Sequence, residues 1–330
     1  MGDFDYTIKS IEIKICGDYY NERKTQKKLY KKVHPEGITT VVEYVDTKYD
    51  LMEEDAETAP IVLCLHGAPG SHHDFTQLIK YLKQRKVRVI VPNFPDYCIT
   101  EKTKVFRHSA EEKAEYIKDF LKHINVSRID LLVSHSSAIY PSTLLWQTAS
   151  APEIKSIALI NPAGHRRLKF LKPKIFFDNA VRIYRNKYGR VLYRTFGPTV
   201  LSITGCVVKH NNMDNVILSA TTMIHANPKT LSKRLEAMKE RALPVLFAFS
   251  DQDKLVEYEL FLEMSAIIGI DEDSIEIYDE NASLIQSSKN SGYPKAILLK
   301  GGGHYWFTKY PSVINEAIYA MLKFIRESED

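Results

Sequence analysis

The chain has 330 residues, of which 44% are hydrophobic and 26% charged, with a net charge of +4. This is too long for a small module and near the upper size of one core, and its apolar content can offset chain entropy, which excludes disorder as the main state. Fourteen Gly and fourteen Pro exclude collagen-like and low-complexity sequence, and no nucleic-acid-binding module is recognised.

The first residues, Met1-Gly2-Asp3-Phe4-Asp5, lack the basic stretch followed by an apolar run that marks a signal peptide. The longest lipid-like stretch, residues 196–208, is too short to span a bilayer. A cytoplasmic protein is therefore expected. The four cysteines, Cys16, Cys64, Cys98 and Cys206, form no CxxC pair, so no zinc knuckle or thioredoxin-type site is expected. Cys64 lies in an apolar run and reads as a small core residue.

In chain order, a basic run at 23–32 reads as a solvated helix ahead of the sheet. Short runs rich in Val, Ile and Leu then recur at 39–45, 61–65, 87–91, 129–133, 156–160, 245–249 and 296–299. Such continuous runs suit strands buried on both faces of a parallel sheet. Helical spacing separates them, as in Phe75, Leu78, Ile79 and Leu82, and in Ala114, Ile117, Phe120, Leu121 and Ile124. Alternation of strand and helix predicts a doubly wound α/β domain. It breaks between 161 and 244, where helical periodicity, aromatics and bases dominate, and this reads as an inserted helical subdomain. Residues 271–293 are polar and acidic and read as a surface excursion.

Four motifs fall at the carboxyl ends of predicted strands, where ligands bind in open α/β sheets. In Ser134-His135-Ser136-Ser137-Ala138 a buried strand runs into small residues and then an apolar stretch, the setting of a nucleophile elbow with Ser136 at its tip. Glycine is usual two positions either side; here Ser134 and Ala138 stand there, and a plain loop with a Ser cap is the bland alternative. In His66-Gly67-Ala68-Pro69-Gly70 a strand ends in a tight turn whose backbone N–H groups can stabilise an oxyanion, Ala68 with Ser137 as partner. Asp251 and Asp253 follow the strand at 245–249, and His304 follows three glycines. A serine hydroxyl needs an imidazole base, and the base an orienting acid. The chain order Ser, Asp, His is the one expected of an α/β-hydrolase.

On these motifs the sequence resembles the α/β-hydrolase superfamily from about residue 39 onward. The turn at 66–70 is similar to the HGxPG turn of the epoxide-hydrolase-like and proline-iminopeptidase-like branches, and Asn161-Pro-Ala-Gly164 resembles the point of lid insertion. The combination also resembles an uncharacterised animal α/β-hydrolase family of unknown function. The resemblance implies an α/β-hydrolase fold, a mostly parallel eight-stranded sheet with an inserted helical lid. It divides the chain into an N-terminal extension with a basic helix (1–38), a core (39–160 and 245–330) and the lid (161–244). It makes Ser136 the nucleophile, His304 the base and Asp253 the acid, since aligning Ser250 with the family's Gly-x-x-Asp selects Asp253 over Asp251. Epoxide hydrolases and haloalkane dehalogenases carry Asp where Ser136 stands, so an acyl-enzyme and an ester or thioester substrate, in one form an acyl lipid, are implied. The opposing reading is a non-catalytic protein of this fold that binds a ligand or partner. No cofactor or metal is expected: His72 and His73 lack a third spaced ligand, and His66 and His135 read as packing supports.

Residues 161–200 carry ten Lys or Arg (Arg166, Arg167, Lys169, Lys172, Lys174, Arg182, Arg185, Lys187, Arg190, Arg194) against one acid, Asp178. Together with Phe170, Leu171, Ile175, Phe176 and Phe177, they suit contact with an anionic membrane or a pocket for an acidic acyl substrate. The plainer and preferred reading is a solvated lid face over packed aromatics.

Overall fold

The structure is a computed structural model; it describes residues 6–96, 105–168, 174–184, 186–203 and 213–328. Cys98, Cys206, the first five residues and Phe170 to Pro173 of the basic aromatic run lie outside the described residues.

The strands are β1 (Ile8–Cys16), β2 (Gly37–Asp46), β3 (Ile61–Leu65), β4 (Arg88–Pro92), β5 (Arg128–Ile129), β6 (Leu131–His135), β7 (Glu153–Ile154), β8 (Ile157–Ile160), β9 (Val245–Ser250), β10 (Ile275–Tyr278), β11 (Leu284–Gln286) and β12 (Lys295–Leu299). The helices are α1 (Gly17–Glu22), α2 (Glu53–Thr58), α3 (Thr76–Lys83), α4 (Ala110–His123), α5 (Ile139–Gln147), α6 (Lys174–Tyr184), α7 (Lys187–Ile203), α8 (Met213–His225), α9 (Pro228–Glu240), α10 (Tyr258–Ile268), α11 (Trp306–Lys309) and α12 (Pro311–Glu327). Among the described residues ten strands form one sheet in the order β1-β2-β4-β3-β6-β8-β9-β12-β10-β11, while β5 and β7 pair separately. From β4 through β3, β6, β8, β9 and β12 to β10 every neighbouring pair is parallel; β1 with β2, β2 with β4 and β10 with β11 are antiparallel.

The strand side chains alternate between two cores, as the pleat requires. Leu63, Leu65, Phe247 and Phe249 pack under α4, α5, α9 and α10, whereas Val62, Cys64, Leu246 and Ala248 pack against α3 and α12. Both faces are covered, which is why these strands read as unbroken apolar runs.

Three expectations are corrected. The sheet has ten strands, not eight, because the polar insertion does not stay a surface excursion. Ile275 and Ile277 within it extend the sheet alongside β12, and β11 then folds back on β10. A parallel edge leaves unpaired N–H and C=O groups, and the insertion satisfies them. Within the N-terminal extension expected at 1–38, residues 8–16 belong to the core sheet, since β1 pairs with β2 along its whole length. Nor does the run at 23–32 form a basic helix. It ends in a single 3-10 turn, Lys28–Lys32, because buried Tyr30 anchors it beside Tyr20, ring centroids 4.8 Å apart.

That anchor converges on Glu112, a buried carboxylate in the first turn of α4. It accepts hydrogen bonds from the N–H groups of Arg107 (2.8 Å) and Ser109 (3.2 Å) and from the hydroxyls of Ser109 (3.3 Å), Tyr20 (3.2 Å) and Tyr30 (3.4 Å). With Ser109 it completes a capping box. Glu112→Ala strands several buried donors, and we expect it to destabilise the fold by about 3 kcal/mol or more. Urea unfolding of both proteins measures this, and a loss under ~1 kcal/mol refutes the anchoring role.

Candidate active site

Because β3, β6, β8, β9 and β12 run parallel, their carboxyl ends open on one edge. β3 leads to His66 and Gly67, β6 to Ser136, β8 to Asn161, β9 to Ser250 and Asp253, and β12 to the glycine loop before His304. Ser136 turns the chain from β6 towards α5 with φ at +54°, a left-handed conformation in a residue with a side chain. The Ala163 N–H holds its carbonyl at 3.0 Å. Gly67 passes so close that a Cβ there would lie 2.9 Å from the Ser136 Cβ, so the turn after β3 requires glycine. Ala138, two positions on, is buried, and Pro141 sits early in α5, where proline is tolerated.

The structure brings the three sequence-predicted residues together. The Ser136 hydroxyl lies 2.9 Å from His304 Nε2, and His304 Nδ1 lies 2.6 Å from Asp253 Oδ2. The other Asp253 oxygen accepts from the N–H groups of Leu255 (2.8 Å) and Val256 (3.1 Å). Burial acts to raise the Asp253 pKa, but the hydrogen bond and charge of His304, with the Asn161 amide, outweigh it and hold the carboxyl below the usual Asp range. Asp251 does something else: its carboxylate accepts the Gly301 N–H at 2.7 Å and pins the glycine loop, where Gly301 has φ +70°.

Sequence reasoning missed Asn161. Fully buried and with φ at +38°, it donates its amide to Asp253 Oδ2 (2.8 Å) and Ser250 Oγ (2.9 Å) and accepts from the Trp306 indole N–H (2.6 Å). Ser250 in turn donates to the Gly303 carbonyl at 3.1 Å. One side chain thus ties the loops after β8, β9 and β12. The signal available was a polar residue at the end of a buried strand, but its partners lie about ninety and one hundred and forty residues away.

The N–H of Ser137 stands in the first turn after Ser136, where no intrahelical carbonyl can reach it. Among the described residues neither it nor the Ala68 N–H is engaged by another protein group. The other histidines serve as supports. His66 Nδ1 donates to the Gly67 carbonyl (2.7 Å) while Nε2 accepts from the Phe94 N–H (2.9 Å), and burial pulls its pKa down to about 3. His135 is held well below the usual histidine range, by burial first and then by the charge of His304. It packs among His304, Tyr305 and Phe307, and its Nε2 donates to the His304 carbonyl at 3.3 Å. His72 is buried on Asn93 at 3.0 Å. Tyr305 reaches across to the Pro69 carbonyl at 3.2 Å, joining the histidine loop to the turn after β3. Among the described residues no group of three or more His, Cys, Asp or Glu is arranged to hold a metal ion, and no helix is long and apolar enough to cross a membrane.

Residues 22–323 match the family described as alpha/beta hydrolase of unknown function (DUF1057). The chain belongs to this family. The mouse mesoderm-specific transcript protein is 27% identical over 225 residues, 62% of this chain and 67% of that one. Among solved structures, a thermophilic esterase from Thermogutta terrifontis superposes with a TM-score of 0.59 at 16% identity, covering 96% of this chain and 99% of that one. The haloalkane dehalogenase DbeA from Bradyrhizobium elkani gives 0.62 at 13% identity, covering 98% and 100%. At such identities the likeness is one of fold, and the α/β-hydrolase architecture is shared by all of them.

Two predictions concern this α/β-hydrolase site. Asn161→Ala frees Asp253 and the histidine loop, and the reactivity of Ser136 towards a fluorophosphonate probe should drop about tenfold to a hundredfold, the equivalent of one lost hydrogen bond to a charged group. An unchanged labelling rate in a folded variant refutes the positioning role. Asp74, in the turn after Ser71, has its pKa pushed up to about 6 by burial, against the Ser71 N–H and the charge of His304. An acid with a raised folded pKa holds its proton more tightly when folded, so its stabilisation is present below about pH 4 and lost as pH rises through about 6. Asp74→Asn should therefore gain Tm relative to wild type at about pH 8 but not at about pH 4. An equal difference at both pH values refutes the shift.

Proposed function

We propose that this protein is a serine hydrolase that cleaves an ester or thioester through an acyl-enzyme on Ser136. The observation that carries this reading is the unbroken chain from the strained Ser136 hydroxyl through His304 to the Asp253 carboxylate, at 2.9 and 2.6 Å. His304 Nε2 takes the hydroxyl proton as Oγ attacks the acyl carbon, and Asp253 fixes the tautomer and stabilises the imidazolium that forms. The N–H groups of Ala68 and Ser137 receive the oxyanion of the tetrahedral intermediate. Collapse breaks the bond to the alcohol or thiol, which leaves with the proton from His304. Water, deprotonated by the same imidazole, then releases the acid and restores the hydroxyl.

A serine nucleophile favours acyl chemistry over the alkyl chemistry of an aspartate nucleophile. The helices between β8 and β9 serve as a lid that excludes water from the acyl-enzyme.

Labelling of wild type and Ser136→Ala with a fluorophosphonate probe tests the reading. We expect labelling in wild type and none in the variant, with matching circular dichroism. Equal labelling of the variant, or none in folded wild type even with short p-nitrophenyl esters as a second readout, overturns it.

A further inference from the structure

A helix in a globular protein normally turns its apolar stripe to the core and its charges to water. α7 also turns an apolar stripe to water. Tyr188, Val191, Leu192 and Phe196 recur at spacings of three and four, share one face, and are 82%, 59%, 52% and 59% exposed. On α6, which packs against α7, Ile175 and Ile183 are 70% and 45% exposed. Of the charges of α7, exposed Lys187 and Arg194 stand to the side of this stripe and half-buried Arg190 lies opposite it, and Arg182 of α6 is also exposed. Asp214 pairs with Arg194, Nε to Oδ1 at 2.9 Å. Arg182 and Lys187, both exposed, give the patch its positive charge.

An apolar cavity of about 350 Å³ lies between α6, α7 and α8, and Ile183, Leu192 and Phe196 belong to both its lining and the exposed stripe. The stripe therefore continues inward into a space that accepts only apolar groups.

We propose that the outer face of α6 and α7 docks on an anionic lipid bilayer, the stripe entering the boundary between headgroups and acyl chains and the basic flank resting on lipid phosphates. Apolar insertion and cationic attraction each give weak membrane binding alone and stable binding together. Charge complementarity selects this occupant over a second copy, because two copies would bring like-charged patches together. The docking does not depend on the chemistry of Ser136, so it stands or falls separately from the hydrolase reading.

The test is co-sedimentation of the full chain with vesicles of phosphatidylcholine alone and of phosphatidylcholine with roughly a third phosphatidylserine. We expect binding to the anionic vesicles only. It should weaken as salt rises from about 0.1 M to 1 M and the Debye length shrinks from ~10 to ~3 Å. Arg182→Glu with Lys187→Glu should weaken it about thirtyfold or more. Leu192→Asp with Phe196→Asp should abolish it. All four side chains are exposed, so an unchanged Tm is expected to accompany each pair. Equal binding to neutral vesicles, no binding to either, or indifference to both pairs of substitutions overturns the proposal. So does a concentration-dependent dimer that Leu192→Asp with Phe196→Asp dissolves, which would give the face to a second copy.

Discussion

Ser136 can hold φ at +54° only because its surroundings leave it no alternative. A left-handed residue with a side chain costs about 1–3 kcal/mol, and such strain persists where the neighbouring structure over-determines it. Here β6 is clamped between β3 and β8, the Ala163 N–H holds the Ser136 carbonyl, and Gly67 passes so close that a Cβ there would lie 2.9 Å from the Ser136 Cβ. The strain lifts the hydroxyl out of the sheet towards the edge where three other loops converge. Relaxing the backbone would drop the hydroxyl away from His304.

The converging loops are themselves joined by few interactions of high consequence. Asn161 is the junction: its amide reaches the acid loop and Ser250, and its oxygen takes the indole N–H of Trp306 just past His304. A buried amide with all these partners satisfied gives one geometry, whereas a partly satisfied one would carry a desolvation cost. Burial serves electrostatics as well. It keeps His66 and His135 uncharged beside the site, so neither places a positive charge against the imidazole that links Ser136 to Asp253. Asp253 is buried too, yet its hydrogen bonds keep it a carboxylate.

The two long insertions solve opposite problems. Residues 271–293 cover an open sheet edge, and their polar composition suits a position where one face stays wet. The helices from α6 to α9 leave the sheet and present part of their apolar surface outward.

The sequence alone determined the doubly wound core and the three residues that meet at its edge. All seven apolar runs became strands; six are buried on both faces, which demands residues of one kind and is written locally, while the run at 39–45 is the antiparallel, half-buried β2. Ser136, Asp253 and His304 were legible since each follows such a strand, and parallel strands end on one side. β1 and β10 were legible in principle, as Ile11, Ile13 and Ile15 or Ile275 and Ile277 alternate with charged residues, but half-buried alternation over few residues is a faint signal. Only the tertiary structure decided the rest: that Asp251 pins the glycine loop, that Asn161 joins three loops, that Glu112 gathers Tyr20 and Tyr30, and that α7 turns its apolar stripe outward. Each depends on which distant segments meet, and hydrogen bonds across some twenty to one hundred and seventy residues leave no periodicity in a chain read locally.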